Sequence, residues 1–234
     1  MKIIIDEKKV TKYRKIGSYF IWATFALLIV GMLLTFNQEL INTYVGFYFT
    51  ALFLALISSQ VGTIITNRYG GNPRQDEMIN AALKGIDDRH YLYHYNAGAS
   101  HLMVGPSGVH VIVPYFQGGT ISYDETKGRW KQTGTNGFLK LFSQNNLGRP
   151  DVDVREYITE ATKFLTKKMG KELPAPVQAV MVFTNEKAVV QAPNAPIQTI
   201  PASKLKDYIR RKIKEDNLSA EVVNQFVSVL PSEF

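Results

Sequence analysis

Residues 101–112 read HLMVGPSGVHVI, two apolar runs on either side of the four residues GPSG. Glycine and proline at these positions are typical of a tight turn. The pattern predicts two strands, over residues 99–104 and 108–113, joined by this turn. The chain therefore contains a β-sheet, and the segments on either side of this pair decide what surrounds it.

Segments with helical and strand-like spacing alternate on both sides of the pair. The spacing of Ile79, Leu83 and Ile86 predicts a helix, while HYLYHY at residues 90–95 alternates as a strand does. We therefore expect residues 75–234 to form an α/β domain of 160 residues, enough to bury a core of its own. Its other predicted elements are a hairpin at 120–123 and 129–132, a helix at 151–169, a buried strand at 177–183, short strands at 189–191 and 198–200, and helices at 203–213 and 219–230 that Ser203 and Ser219 are placed to cap.

Two long uncharged stretches precede this domain, at residues 17–36 and 43–66. About 20 apolar residues are needed for a helix to cross a bilayer core, so each stretch predicts a transmembrane helix. The six residues between them, 37–42, allow only a tight turn, so the two helices should form an antiparallel hairpin. A signal peptide is the alternative for the first stretch, but that stretch is too long, lacks a cleavage motif and is followed at once by the second.

The positions of lysine and arginine predict the orientation of the hairpin. Residues 1–17 carry six Lys/Arg against two Asp/Glu, and Arg68 and Arg74 follow the second stretch, whereas the connecting turn has neither lysine nor arginine. By the positive-inside rule, both termini and the soluble domain are cytoplasmic. We therefore divide the chain into a basic cytoplasmic segment, a transmembrane hairpin, a linker and an α/β domain, at residues 1–16, 17–66, 67–74 and 75–234.

Small residues recur at four-residue spacing in the second stretch, at Ala51, Ala55 and Ser59. Such spacing lets two helix backbones approach closely in a membrane. The favoured interpretation is packing on the first helix of the same hairpin. The alternative is docking to another protein of a larger membrane complex.

Composition excludes several classes of site. There is no cysteine, which rules out disulfides, thiolate nucleophiles and cysteine metal sites. No glycine-rich phosphate loop is present either, and no cofactor is expected. The net charge of +7 is shared between the N-terminal segment and a mildly basic C-terminal part, which by itself indicates nucleic acid only weakly.

The order of these segments is similar to that of the nuclease-related domain (NERD) family. The resemblance covers residues 75–230 and is carried by HLMVGPSGVHVI, a following hairpin that ends in a tryptophan, a helix after Arg149–Pro150, and VMVF at 180–183. It implies a restriction-endonuclease-like fold, in which helices flank a sheet. It also implies a metal-dependent site of the PD-(D/E)xK type.

The resemblance places the family's reactive residues on positions that have lost most of the chemistry. The metal-binding Asp falls on Ser100, the Glu on Val113 and the Lys on Tyr115, while a later Gln falls on Asp153. Two of the family's groups are present, Glu77 of the first helix and His101.

Loss of these groups predicts a protein that is not an enzyme. Valine offers no lone pair, serine is a poor substitute for a carboxylate, and tyrosine carries no positive charge to offset a phosphate. Pro114 lacks an N–H and restricts Val113, which predicts an edge strand or a bend there. We expect a membrane-anchored, catalytically inactive nuclease-like domain, without a metal site, that acts as a binding or scaffold module.

Three alternatives stay open. The chain could be an accessory subunit of a larger membrane complex, or a nuclease with a rearranged metal site. His90 and His94, two steps apart on one strand, could pair on a metal, although no third ligand is evident and a sheet-surface pair is favoured. The carboxylates available to a rearranged site are Glu77, Asp87, Asp88, Asp151 and Asp153, of which Asp87 and Asp88 more simply form a polar turn after a helix.

The remaining candidate residues have simple structural interpretations. His101 and His110 are expected at the edge of the core, and Tyr91, Tyr93 and Tyr95 on a sheet face, with stacking on single-stranded bases as the alternative. The segment SKLKDYIRRKIK at residues 203–214 predicts a helix with a basic face, usually a solvated one. Anionic headgroups or nucleic-acid phosphates are its possible partners, through Lys206, Arg210 and Lys214.

Overall fold

A computed structural model describes residues 1–36, 38–134 and 147–232, with the backbone alone for residues 38–44. The chain divides into two compact units, and each is described by itself. One unit is a helical hairpin, residues 7–75. The other combines residues 1–6 with residues 76–234 and contains both β-sheets.

The hairpin consists of α1 (Glu7–Thr35) and α2 (Gln38–Tyr69). Both are long and apolar enough to cross a membrane. Large apolar side chains point outward along both helices, among them Phe25, Phe49 and Phe53, each more than half exposed. Water would make such a surface costly, whereas lipid would not. The two candidate membrane helices predicted from the sequence are therefore present.

The turn of the hairpin is shorter than residues 37–42. Helix α2 already begins at Gln38, so most of the predicted turn is helical, and Asn37 lies outside the described residues. The segment QELI consists of residues that fit a helix well. The polar residues at 37–42 mark the end of the apolar stretch, but polar side chains do not by themselves end a helix.

A line of small residues lies where the two helices meet. The Ser58 hydroxyl donates a hydrogen bond of 2.8 Å to the Phe20 carbonyl oxygen of α1. A Cβ atom added at Gly62 would lie 3.1 Å from the Cβ atom of Phe20 and from Cγ1 of Ile21 in α1. Three small residues of α2 are buried in the hairpin and a fourth is half-buried: Ala51, Ala55, Ser58 and Ser59.

Replacing Ala55 by leucine should destabilise the hairpin. Ala55 is 2% exposed, and forcing three more carbon atoms into such a contact costs about 1–3 kcal/mol. Thermal unfolding of the full chain in detergent measures the change. Phe53→Leu is the matched control, because that side chain is 64% exposed. An A55L protein as stable as the control would place position 55 outside the helix contact.

The second unit is built on a six-stranded mixed sheet in the order β1-β2-β3-β4-β7-β9. Strands β2, β3 and β4 form an antiparallel meander, while β1, β7 and β9 each pair in parallel with a neighbour. The strands are β1 (Lys2–Ile5), β2 (Tyr91–His94), β3 (His101–Gly105), β4 (Gly108–Tyr115), β7 (Val177–Phe183) and β9 (Gln198–Pro201).

Helices cover both faces of this sheet. Helices α3 and α5 pack on one face, around Leu92, Met103 and Ile112, and helices α4 and α6 pack on the other, around Val111 and Phe183. We refer to these as the α3/α5 face and the α4/α6 face. The helices are α3 (Gln75–Ala82), α4 (Pro150–Met169), α5 (Leu205–Glu215) and α6 (Ala220–Val227).

A small second sheet has the order β6-β5-β8. Strands β5 (Gly119–Asp124) and β6 (Arg129–Thr133) form the predicted hairpin, and β8 (Ala188–Gln191) pairs in parallel with β5. Its inner side packs on the α4/α6 face through Ile121 and Trp130. The α/β class predicted from the sequence is confirmed.

Strand β1 is an element that the sequence did not predict. Residues 1–16 were expected to form a separate basic segment, but Lys2–Ile5 is a strand of the sheet and α1 begins at Glu7. Two backbone hydrogen bonds mark the ends of its pairing with β2. The Lys2 amide donates to the His90 carbonyl (2.8 Å), and the Asp6 amide donates to the His94 carbonyl (3.2 Å). The three isoleucines of KIII favour strands, but their partner lies some 90 residues away.

The prediction of an edge at Pro114 holds on one side of this strand end only, because the other side pairs with β7. Strand β4 is central and continues through Pro114, which pairs in register with Val182 of β7. The Tyr115 carbonyl accepts from the Thr184 amide beyond β7, so alternation turns the Pro114 nitrogen toward β3. Because β3 begins at His101, opposite Ile112, the missing N–H falls where the β3 ladder has already ended.

The two predicted serine caps have different outcomes. Ser219 caps α6, because its hydroxyl oxygen accepts a hydrogen bond from the Val222 amide. Ser203 caps nothing: it lies within a 3₁₀ turn, Ala202–Lys204, and α5 starts two residues later at Leu205. Serine alone does not fix a helix start when a tighter turn precedes the helix.

Candidate functional site

The end of β4 carries two positions at which the resemblance places reactive groups, and both belong to the core. Val113 is 6% exposed and Tyr115 is 8% exposed, both on the α4/α6 face. The Tyr115 ring stacks on Phe183 of β7, with the ring centroids 5.5 Å apart. Apolar packing therefore fills this end of the strand.

One polar contact links this end to α4. The Tyr115 hydroxyl donates to a carboxylate oxygen of Asp153 at 3.5 Å, so two positions singled out by the resemblance meet. Burial, and then the charge of Asp153, raises the pKa of the Tyr115 phenol, which stays protonated. Partial burial also raises the pKa of Asp153, although the bond from Tyr115 opposes the shift.

The two retained groups lie elsewhere. Glu77 is an exposed residue in the first turn of α3. His101 is buried and, through His94, is linked to Asn80 of α3, which places it on the α3/α5 face. Because Val113 and Tyr115 lie on the α4/α6 face, the sheet lies between these two residues and His101.

The first substituted position, Ser100, lies in the loop between β2 and β3. Its carbonyl oxygen accepts from the Tyr95 amide at 2.8 Å, which closes the loop. A Cβ atom at Gly98 in the same loop would lie 2.5 Å from the Phe164 side chain, so the loop packs tightly on α4. The Ser100 backbone therefore stabilises the loop by accepting this hydrogen bond.

A buried histidine pair is the main polar feature of the α3/α5 face. His94 and His101 lie opposite each other on β2 and β3, and their Nδ1 atoms are 2.7 Å apart. The Nε2 atom of His94 lies 2.9 Å from the Asn80 side-chain oxygen, so it donates there. Because the two Nδ1 atoms lie within hydrogen-bond distance, one of them donates to the other. One hydrogen is thus shared between the rings.

Tyr95 brings a carboxylate close to this pair. Its backbone is left-handed, with φ of 68°, which breaks strand alternation. Its ring packs on His101 at 5.3 Å, and its hydroxyl donates to a carboxylate oxygen of buried Asp76 at 3.2 Å. The cluster joins α3 to the β2–β3 hairpin through hydrogen bonds that leave no lone pair of His94 available to a metal.

No rearranged metal site is assembled in residues 1–36, 38–134 and 147–232, which hold no group of three suitable His, Asp or Glu side chains. Asp87 accepts from the Arg89 amide and guanidinium and from His90 Nδ1, as expected of a polar turn. Asp88 bonds to the amino group of Met1 at 2.6 Å. His90 and His94 are both fully buried and have separate partners, so the predicted pair on the sheet surface is wrong.

The other aromatic and histidine candidates are core residues. His110 is fully buried and its Nε2–H donates to the Ser107 carbonyl at 2.7 Å within the GPSG turn. Tyr93 and Tyr95 are 1% and 2% exposed, so they cannot stack on nucleic-acid bases, and Tyr91 is half-buried beside Lys2.

The basic helix α5 presents fewer available cations than its sequence suggests. Lys206 donates to the Lys84 carbonyl at 2.6 Å, which satisfies an acceptor just after α3. Lys212 pairs with Glu215 and Asp216, and Arg211 lies near Glu215. Arg210 and Lys214 are exposed and form no ion pair within the described part of the chain.

The sequence contained only part of the signal for these features. Alternation in HYLYHY places His94 on the face of Leu92, but the register that sets it opposite His101 is a tertiary property. The left-handed Tyr95 has no marker in its residue type.

No family model, curated protein or solved structure matches this chain.

Proposed function

We propose that this protein is a membrane-anchored, catalytically inactive nuclease-like domain that acts as a binding or scaffold module. The observation that supports it most is the packing of Val113 and Tyr115 into the core at the end of β4. The resemblance to the nuclease-related domain would require a carboxylate and a lysine at these positions.

Metal chemistry explains why this packing matters. Mg²⁺ gives up its water reluctantly and is held by carboxylates together with substrate phosphates. Val113 has no ligand atom, and Tyr115 is a neutral phenol bonded to Asp153. Without the ion, little is left to stabilise charge on a phosphate undergoing transfer.

The anchor in this proposal is the α1–α2 hairpin, with both termini on the cytoplasmic side. A cysteine introduced at Asn37 should react with an impermeant thiol reagent on intact cells, whereas one at Ser232 should react only after lysis. The natural chain has no cysteine, so each variant carries a single thiol. Labelling of Ser232→Cys but not Asn37→Cys on intact cells would invert the topology.

A binding module should hold its partner through the second unit, residues 1–6 and 76–234, which we call the sheet domain. We would isolate the full chain from its native membrane in mild detergent, beside a chimaera in which an unrelated two-helix anchor replaces residues 7–74. The chimaera keeps residues 1–6, because β1 belongs to the sheet. The proposal expects the same partner on both proteins. Loss of the partner from the chimaera would instead make the hairpin the docking element of an accessory subunit.

A further inference from the structure

A cavity of about 480 Å³ opens at the tip of the β5–β6 hairpin. Its lining comes from two parts of the chain, the turn and first residues of β6 and the start of α4. The residues are Lys127, Gly128, Arg129, Trp130, Gly148, Arg149 and Asp151. The volume lies within the range of small-molecule sites and suits a ligand of one or two rings.

Charge decides what kind of ligand fits. Lys127, Arg129 and Arg149 are exposed and form no ion pair in the described part of the chain, while Asp151 is the one carboxylate in the lining. The described residues of the lining thus carry a net charge of +2. Nearby Asp124 does not offset it, because its carboxylate bonds to Lys131 at 2.7 Å and to the Lys127 amide.

The first turn of α4 leaves few backbone donors for an anion. Residue 150 is proline, and the amides of Val152 and Asp153 both donate to the Arg149 carbonyl. Recognition therefore rests mainly on the side chains of Arg129, Arg149 and Lys127. Two guanidinium groups match the oxygens of a phosphate in a bidentate way, and a phosphomonoester carries close to two negative charges at pH 7.

Trp130 adds a second kind of contact. Its ring packs on Tyr123, with centroids 5.2 Å apart, and is only partly buried. A partly exposed indole beside a cationic group provides a surface on which a planar heterocycle stacks.

We propose that this cavity binds a nucleoside phosphate, with the phosphate held by Arg129, Arg149 and Lys127 and the base against Trp130. A cavity of this volume takes one nucleotide, whereas a nucleic-acid strand requires a groove that follows several phosphates. The inference does not depend on the proposed function, since an active enzyme and an inactive module would carry the same cavity.

Fluorescence of Trp130 tests this inference directly. The chain has two tryptophans, so Trp22→Phe leaves Trp130 as the only reporter in the detergent-solubilised full chain. Titration with ATP and AMP should change its emission saturably, with half-saturation below about 1 mM. Raising the salt from about 50 to 200 mM should weaken binding, because exposed charges are screened.

Variants of the two arginines supply the specificity of the test. Arg129→Ala and Arg149→Ala should each weaken binding about tenfold or more. Arg129→Lys should weaken it less, because lysine keeps the positive charge but cannot bind a phosphate in the bidentate way that a guanidinium group does. The control is Lys167→Ala, which removes one exposed charge from the last turn of α4, at the opposite end of the helix from Arg149. This variant should change affinity less than about twofold. The two arginines lie on different elements, so a folding defect in one variant leaves the other.

Other ligands distinguish the contribution of the phosphate from that of the base. Inorganic phosphate should compete weakly, and adenosine should bind weakly and without salt dependence. The inference is overturned if ATP and AMP leave Trp130 emission unchanged or if adenosine binds as well as AMP. It is also overturned if a 12-nucleotide single strand binds more than tenfold tighter than AMP, or if both arginine variants bind like Lys167→Ala.

Discussion

Replacing Gly105 by alanine should cost about 3 kcal/mol of unfolding free energy. A Cβ atom there would lie 2.3 Å from Cδ2 of His90 and 2.7 Å from its Cγ. The ring cannot move aside easily, because His90 is fully buried and its Nδ1 is bonded to Asp87. Chemical denaturation of the full chain in detergent, followed through the sheet domain, measures the loss.

Two comparisons isolate the cause. Gly148→Ala meets no atom of the described residues within 4 Å but has φ of 68°, so it reports mainly backbone strain, about 1 kcal/mol. In the double variant with His90→Ala, the Gly105→Ala penalty should fall to a small fraction, because the clashing ring is gone. A Gly105→Ala protein no less stable than Gly148→Ala would contradict the position of His90 against the GPSG turn.

Acid should destabilise the sheet domain through His110. Burial lowers the pKa of this ring to about 4, while the bond to the Ser107 carbonyl and the charge of Asp216 oppose the shift. The unfolded ring has a pKa near 6.5, so between these values the unfolded state binds the extra proton. Stability is therefore kept above pH 6.5 and lost as the pH falls toward 4. The loss between pH 7 and pH 5 should be about 2 kcal/mol.

His110→Gln provides the comparison, because the amide can still donate to Ser107 but does not titrate. Unfolding free energies measured at pH 7 and pH 5 should differ less in this variant than in the natural chain. The lowered pKa of buried His90 acts in the same direction and should leave a residual dependence. Equal pH dependence in the two proteins would show that His110 is not the group responsible.

Local patterns predicted much of the fold. The strand Val177–Phe183 begins and ends at the predicted residues, and the hairpin at Asp124–Arg129 follows its turn sequence. These features depend on apolar runs and turn residues that are neighbours in sequence.

The failures have tertiary causes. Residues 2–5 form a strand only because Tyr91–His94 offers its edge, and no local pattern indicates that pairing. Pro114 is tolerated in a central strand because the β3 ladder ends before it, which depends on register. Propensity rules describe the average environment of a residue, and here the neighbouring strands override them.

The resemblance named the positions of the candidate site but could not predict their geometry. The sequence resemblance placed Val113 and Tyr115 at the family's reactive positions. Only the structure shows that these side chains face α4 while His101 faces α3. The contact between Tyr115 and Asp153 could not be inferred from spacing, because 38 residues separate them.

Nucleic-acid cleavage by the purified full chain tests most directly whether the end of β4 is catalytic. The full chain is required because residues 75–234 alone would lack β1. We expect no cleavage of single- or double-stranded DNA or RNA with Mg²⁺ or Mn²⁺, since Val113 and Tyr115 provide no metal ligand. Metal-dependent cleavage that Glu77→Ala or Asp153→Asn abolishes would contradict the proposal and show that a rearranged site is active.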